Sequence, residues 1–345
     1  MTNIETVNRK FVLAKRPKGE PTKDTLKLVR EQIPSVGNNQ MLLRTEFLSL
    51  DPYMRGRMSD APSYAAPVEL GEVMVGGTVA RVVSSHIEGF SAGDWVLSGN
   101  GWQDYSLSDG EGVINLGSSP AHPSWALGVL GMPGFTAWAG LTQIGRPQSG
   151  ETIAVAAATG PVGATVGQIG KLLGCRVVGI AGTPEKCAYA VEELGFDACL
   201  DHTSPDFADQ LTNACPDGVD VYFENVGGRV LDAVVPLLNT NARVPVCGLV
   251  SQYNATELPQ GPDRMNWLMS VILRKRLKVQ GFIIFEDFGH LYQDFAEVMG
   301  DWVEAGNIKY REEIIDDLEN APEAFIGLLR GENFGKRVIR VGRRA

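Results

Sequence analysis

Cysteine is scarce and one-sided in this sequence. The five present (Cys175, Cys187, Cys199, Cys215 and Cys247) all fall in the second half, form an odd set and contain no CxxC pair. That pattern excludes a disulfide framework and a zinc knuckle, and leaves buried, reduced thiols as the reading. Basic residues are in deficit, 31 Lys and Arg against 41 Asp and Glu, for a formal charge of -10. No general basic field is therefore available to a nucleic-acid backbone or an anionic lipid surface, although a local basic pocket could still hold one phosphorylated ligand. Long apolar runs are missing as well: no stretch approaches the roughly 20 residues that span a bilayer. The opening residues MTNIETVNRK lack the apolar core of a secretion signal, so the cytoplasm is the expected compartment.

What is present points to two domains, since 345 residues exceed the length over which a single core usually keeps growing. The first third or so reads as short apolar segments, at 9–13, 41–50, 73–83 and 94–97, separated by Gly, Pro, Asn and Asp clusters. That is the texture of a β-rich domain. From Glu151 the pattern changes, and strands at 152–158, 176–181, 198–200, 219–224, 243–247 and 277–284 alternate with helix-length intervals at 164–173, 184–194, 206–215, 229–238 and 262–275. Six strands so spaced predict an α/β doubly wound parallel sheet. After an amphipathic segment at 288–305, one more apolar-periodic stretch and a final strand at 336–341 come too late for that sheet and are expected to return to the first domain.

The most informative segment is TIAVAAATGPVGATVGQIGKLLG, residues 152–174, where an apolar strand enters a small-residue turn and then a helix without bulky residues on one side. Ala158-x-Gly160-x-x-Gly163 is the phosphate turn of a dinucleotide site, with Ala158 in place of the first glycine. Gly160 admits a pyrophosphate close to the backbone, Gly163 lets helix pack on strand, and the exposed helical N–H groups meet the anion. An NAD site usually places Asp or Glu at the end of the second strand to bond the ribose diol. Here that end reads Ala181-Gly182-Thr183-Pro184-Glu185-Lys186. The missing carboxylate removes repulsion against a 2′-phosphate, and Lys186 in the first turn of the next helix can pair with it, so NADPH is the expected cofactor.

Six stretches together, LSLDPYMRGRMSD (48–60), VLGMPGFTAW (129–138), AAATGPVGATVGQIGK (156–171), YFENVGG (222–228), CGLVSQYN (247–254) and GENFGKRVIRV (331–341), make the chain resemble the zinc-independent medium-chain dehydrogenase/reductases. Within them it resembles the leukotriene B4 dehydrogenase/prostaglandin reductase group and its bacterial curcumin reductase members. The resemblance covers nearly the whole chain. It implies a GroES-like substrate domain, residues 1–128 and 312–345, and a Rossmann domain, 129–311, with the active site in the cleft between them. It also implies hydride transfer from NADPH to the β-carbon of an α,β-unsaturated ketone or aldehyde. Cofactor contacts carried over are Pro161, Val162, Gly163 and Ala164 at the pyrophosphate, Lys186 at the 2′-phosphate, and Asn225, Cys247, Gly248 and Tyr253. They extend to Phe282 and Ile284 around the nicotinamide and to Asn333 from the tail. His202 stands where mammalian relatives carry a tyrosine near the adenosine phosphate; an imidazole can also donate there.

Zinc members of the superfamily need a cysteine in the first domain and a Gly-His-Glu segment downstream; neither is present, so no metal site is expected. Conjugate reduction then needs an oriented donor to the carbonyl oxygen as an enolate forms. Tyr253, just beyond the fifth strand of the sheet, is positioned for that role, and a phenol with a pKa of about 10 donates without first losing its proton. Tyr53 and Tyr64 are candidates for the substrate cleft, while Arg55 and Arg57 read as solvated charges beside Gly56. The leading function is thus an enone reductase, plausibly for curcumin and dihydrocurcumin. A zinc-free quinone reductase and a non-catalytic NADPH-binding protein are the alternatives. A homodimer through the last Rossmann strand is expected because an apolar edge at 279–284 would otherwise stay unpaired.

Overall fold

The computed structural model describes residues 7–258 and 261–342; most of the opening segment read for a secretion signal lies outside them. Two compact units partition the chain: Met1–Leu127 with Glu312–Ala345, and Gly128–Arg311.

The first unit begins with an antiparallel pair, β1 (Val7–Leu13) and β2 (Leu26–Gln32). There follow β3 (Met41–Ser49), the single turn of α1 (Met54–Arg57), β4 (Thr78–Ser85), β5 (Trp95–Ser98), β6 (Tyr105–Ser108) and β7 (Ile114–Gly117). Apolar residues on β3 feed more than one cluster. Met41 and Leu43 pack with Ala80, Val82 and Val96, while Leu48 joins the larger core around Trp102. The β3–β4 register shifts between Thr45 and Phe47, where a bulge adds one residue to β3, so that Leu43 and Leu48 stay on the same face of the sheet and reach different clusters along it.

The second unit carries α2 (Met132–Ala139), β8 (Thr152–Ala156), α3 (Pro161–Leu172), β9 (Arg176–Ala181), α4 (Pro184–Glu192), β10 (Ala198–Asp201) and α5 (Phe207–Ala214). It continues with β11 (Val219–Phe223), α6 (Gly228–Val234), β12 (Leu238–Val246), α7 (Met265–Lys275), β13 (Lys278–Gly281), α8 (Ile284–Phe288) and α9 (Tyr292–Glu304). Its six strands are parallel in the order β10-β9-β8-β11-β12-β13. The sequence of connections reverses between β8 and β11, and in such sheets ligands bind beyond the carboxyl ends at that reversal. The small face of α3 explains its close seat on the sheet: a Cβ on Gly170 would stand 2.7 Å from the Ile153 side chain on β8.

The tail, β14 (Glu312–Asp316), α10 (Ala321–Leu329) and β15 (Lys336–Arg340), belongs to the first unit, where β15 lies antiparallel to β3. Phe325 meets Trp102 edge-on at 5.8 Å, and Trp102 meets Phe11 in the same way at 6.2 Å. Deeper still, Lys336 donates to the Leu50 carbonyl (3.0 Å) and to Asp51 (2.5 Å), with both side chains buried. An ion pair removed from water holds only when its geometry and further hydrogen bonds offset desolvation; here the Ser49 hydroxyl also donates to Asp51.

Two expectations are corrected. The last strand of the parallel sheet ends at Gly281, not at 284: Phe282 and Ile284 are buried, and Ile284 opens α8. The apolar edge is therefore shorter than the sequence suggests. Arg55 is not solvated, since it is buried and donates to the Gly19 carbonyl at 2.8 Å.

Candidate functional site

The turn after β8 is built for an anion. All five residues of β8 are buried, which fixes the strand in the sheet. Ala157 then takes the left-handed conformation (φ 53), a position that costs an L-residue about 1 to 2 kcal/mol, and the Gly160 N–H closes the turn on the Ala157 carbonyl at 3.0 Å. The left-handed residue is thus Ala157, one before Ala158, whose N–H instead donates to the Ile180 carbonyl. Gly160 caps α3 without any side-chain cap, Pro161 follows at the first helical position, and no acidic residue stands in the first turn. The leading N–H groups are left for a ligand, and the helix dipole favours negative charge there. A Cβ at Gly163 would stand 2.3 Å from the Ala157 oxygen, whereas one at Gly160 would meet nothing nearer than 3.4 Å. Internal packing demands glycine at Gly163; at Gly160 the demand would come from a bound pyrophosphate. Val162 and Ala164 lie part-exposed in this first helical turn.

Beyond the ends of β9 and β10 stand Lys186, in the first turn of α4, and His202. The Thr183 hydroxyl caps α4 by accepting the Lys186 N–H at 3.3 Å. The His202 N–H donates to the Ala181 carbonyl at the end of β9, and its imidazole Nε2 stands 3.4 Å from where a Cβ on Gly182 would be. Burial pushes the His202 imidazole below its ordinary value; Asp201 opposes this, while Arg229 and Lys186 add to it. Arg229 escaped the sequence reading. The available signal was an arginine directly after the Gly-Gly of YFENVGG, at the start of a helix that leaves the carboxyl end of a parallel strand.

Glu224 escaped it too, although it organises the two loops beyond β11 and β12. Buried at the end of β11, it accepts the N–H groups of Val226 (2.6 Å) and Gly227 (2.8 Å) on Oε1, and its carbonyl accepts those of Cys247 (2.9 Å) and Gly248 (3.2 Å). Burial raises its carboxyl above the usual range against the pull of the Val226 and Gly227 backbone N–H groups. Asn225 next to it donates to the Ala156 carbonyl on β8 at 2.8 Å and accepts the Val250 N–H. The Tyr253 hydroxyl stands 3.1 Å from where a Cβ on Gly248 would be. Asn225, Gly248 and Tyr253 are therefore neighbours at the carboxyl ends of two adjacent strands. Cys247 is part-buried, and burial together with Glu224 pushes its thiol up to about 12, which keeps it protonated.

The other candidates come from later in the second unit and from the first unit. Phe282 and Ile284 turn their side chains into the second unit, with the Phe282 ring edge-on to Phe223 at 6.4 Å. Tyr53, Tyr64 and Asn333 belong to the first unit. Tyr53 packs against its main core, and its phenol is raised by burial, then by Asp51, with a smaller push from Tyr64; Tyr64 itself is exposed. Asn333 donates to the Gly335 carbonyl ahead of β15. Of the cysteines, Cys175, Cys187 and Cys215 are buried and Cys199 only partly so. Among the described residues no group of three or more His, Cys, Asp or Glu is placed to hold a metal ion, and no helix is long and apolar enough to cross a membrane.

Residues 9–116 match the family described as "N-terminal domain of oxidoreductase", and residues 161–305 that described as "Zinc-binding dehydrogenase". The donor set here does not fit the zinc of the second description. The chain is 63% identical over 334 residues to NADPH-dependent curcumin reductase of Escherichia coli (strain K12), covering 97% of each. It is 40% identical over 335 residues to prostaglandin reductase 1 of Rattus norvegicus, covering 96% of this chain and 98% of that one. Among solved structures, CurA of Vibrio vulnificus in complex with NADPH is 60% identical with a TM-score of 0.95, over 97% of this chain and 100% of that one.

Replacing Glu224 tests whether the two loops are held through it. Glu224→Ala leaves two buried N–H groups without their acceptor, an omission worth roughly 1 to 3 kcal/mol for each such group, so NADPH affinity should fall tenfold or more. Glu224→Gln keeps the acceptor oxygen and should recover most of that loss. Fluorescence titration measures both, and unchanged affinity in Glu224→Ala would show that the loops stand without it.

Proposed function

The chain belongs to the medium-chain dehydrogenase/reductase family, and we propose that it uses NADPH to reduce the C=C bond of α,β-unsaturated ketones and aldehydes, curcumin and dihydrocurcumin among them. The observation that carries this reading is the near-full-length likeness to a curcumin reductase and to the NADPH-bound CurA. The site's chemistry agrees with it. The turn from Gly160 to Ala164 offers backbone donors to a pyrophosphate, and the end of β9 carries no carboxylate but has Lys186 and His202 beside it, which suits a 2′-phosphate. Bound NADPH supplies the hydride. The chain's own task is to orient the substrate and to stabilise negative charge on its oxygen as the enolate forms. In this reading the Tyr253 hydroxyl donates to that oxygen, Asn225, Cys247 and Gly248 line the cofactor, Phe282 and Ile284 border the nicotinamide, and Asn333 adds a contact from the tail. Tyr53 and Tyr64 take the substrate side. The cytoplasm, with its reducing supply of NADPH, is the compartment that fits such an enzyme.

A second copy of the chain is the proposed partner. Edge strand β13 exposes all four of its residues, and α7, which precedes it, exposes Met265, Met269 and Leu273. Unpaired strand edges and contiguous apolar side chains are the features that association removes from water. Light scattering at micromolar concentration should give twice the chain mass of 37.3 kDa; a monomer alone would refute the dimer.

Tyr253→Phe tests the chemical role. The ring keeps its packing and only the donor is lost, so NADPH should bind nearly as before. Loss of one preorganised donor to a developing oxyanion commonly lowers kcat by about 10² to 10³, and single-turnover hydride transfer should slow with it. An unchanged transfer rate would remove Tyr253 from the reaction. A panel containing a linear enone, curcumin and a simple quinone separates enone from quinone reduction, and NADPH binding without turnover across the panel would favour a binding protein.

A further inference from the structure

We propose that Arg229 is a specificity-determining residue for the cofactor, its guanidinium joining the Lys186 ammonium and the His202 imidazole around the 2′-phosphate of NADPH. The inference rests on the NADPH reading above and adds a residue from a third strand-to-helix connection. Lys186 lies in the first turn of α4 after β9, His202 in the turn that leaves β10, and Arg229 at the start of α6 after β11.

Three observations bring Arg229 to this place. Its Nη2 donates to the Ser204 carbonyl at 2.6 Å, two residues beyond His202 in the turn leaving β10. Its Cζ stands 5.9 Å over the Phe207 ring at the start of α5, a geometry in which a guanidinium is held by the π-face. A long side chain that would otherwise sample many rotamers is thus fixed at one edge while its remaining N–H groups stay available. The charges of Arg229 and Lys186 both act on His202 and favour its neutral imidazole. The acid that acts on His202 is Asp201, whose Oδ1 already accepts the N–H and the hydroxyl of Thr203, each at 2.8 Å. Arg229 forms no ion pair with any carboxylate among the described residues.

The ligand chemistry follows from charge and shape. A phosphomonoester is close to a dianion at neutral pH and presents several acceptor oxygens, which a guanidinium can engage with two parallel N–H donors. A ribose hydroxyl at the same position offers neither the charge nor the fork. Arg229 should therefore strengthen binding of the phosphorylated cofactor and contribute little to the unphosphorylated one.

Isothermal titration of the full chain with adenosine 2′,5′-bisphosphate and with adenosine 5′-monophosphate tests this without turnover. Arg229→Gln should weaken the bisphosphate roughly tenfold or more, the scale of a lost charge-assisted hydrogen bond, and the monophosphate by less than about twofold. Arg229→Lys keeps the charge without the fork and should fall between parent and Arg229→Gln for the bisphosphate. Lys186→Ala is titrated in parallel. If the parent prefers the bisphosphate and Lys186→Ala loses that preference while Arg229→Gln keeps it, the Arg229 proposal is overturned and the NADPH reading stands. Equal losses for both nucleotides in Arg229→Gln would also overturn it. A parent that binds the two nucleotides alike would overturn the NADPH reading and this proposal with it.

Discussion

A single buried carboxylate is the constraint on which the far end of this site depends. Glu224 closes the loop after β11 with its side chain and anchors the loop after β12 with its carbonyl. Two loops that share no covalent connection over some twenty residues thereby move as one piece. Asn225 extends the piece to β8 through the Ala156 carbonyl, the strand that delivers the phosphate turn. The cost is a carboxyl group held out of water. Such groups are expensive, and they persist where a fixed backbone geometry is worth more than the desolvation.

The near end follows a different rule, which is bare backbone. From Ala156 to Ala164 no side chain is larger than valine, and the helix that follows approaches the strand until a Cβ at Gly163 would collide with the main chain. Side chains there would fill the space and satisfy the N–H groups that an anion needs. Around the proposed 2′-phosphate site the logic inverts again, because discrimination between two cofactors that differ by one phosphate requires charge. Despite a net charge of -10, the chain offers that charge in Lys186 and Arg229, both of which act on the His202 imidazole.

Local patterns in the sequence were enough to read the parallel sheet and its turn. The strand-turn-helix of 152–174 announces itself by a switch of periodicity within a few residues, and the missing carboxylate after β9 is visible as plain text. Elements whose faces are mostly exposed were missed: β2 and β14 each bury little, so their apolar alternation is weak. The run Val279–Gln280–Gly281–Phe282–Ile283–Ile284 reads as one strand because all its apolar residues look alike in sequence, while the fold sends Phe282 and Ile284 inward and leaves Val279 at the edge. Arg55 was misjudged because an arginine satisfied by the Pro17 and Gly19 carbonyls has no local signature. Glu224 and Arg229 were overlooked for the same reason, since their partners Gly248 and Ser204 stand about twenty-five residues away and are adjacent only once the strands order.

The account stands or falls on where the hydride goes. With curcumin or a simple enone and NADPH deuterated at the transferred position of the nicotinamide C4, proton and deuterium NMR of the product should find the label on the carbon β to the carbonyl, with the carbonyl intact. Label on the carbonyl carbon of an allylic alcohol, or a saturated product without label, would contradict NADPH-driven reduction of the conjugated double bond.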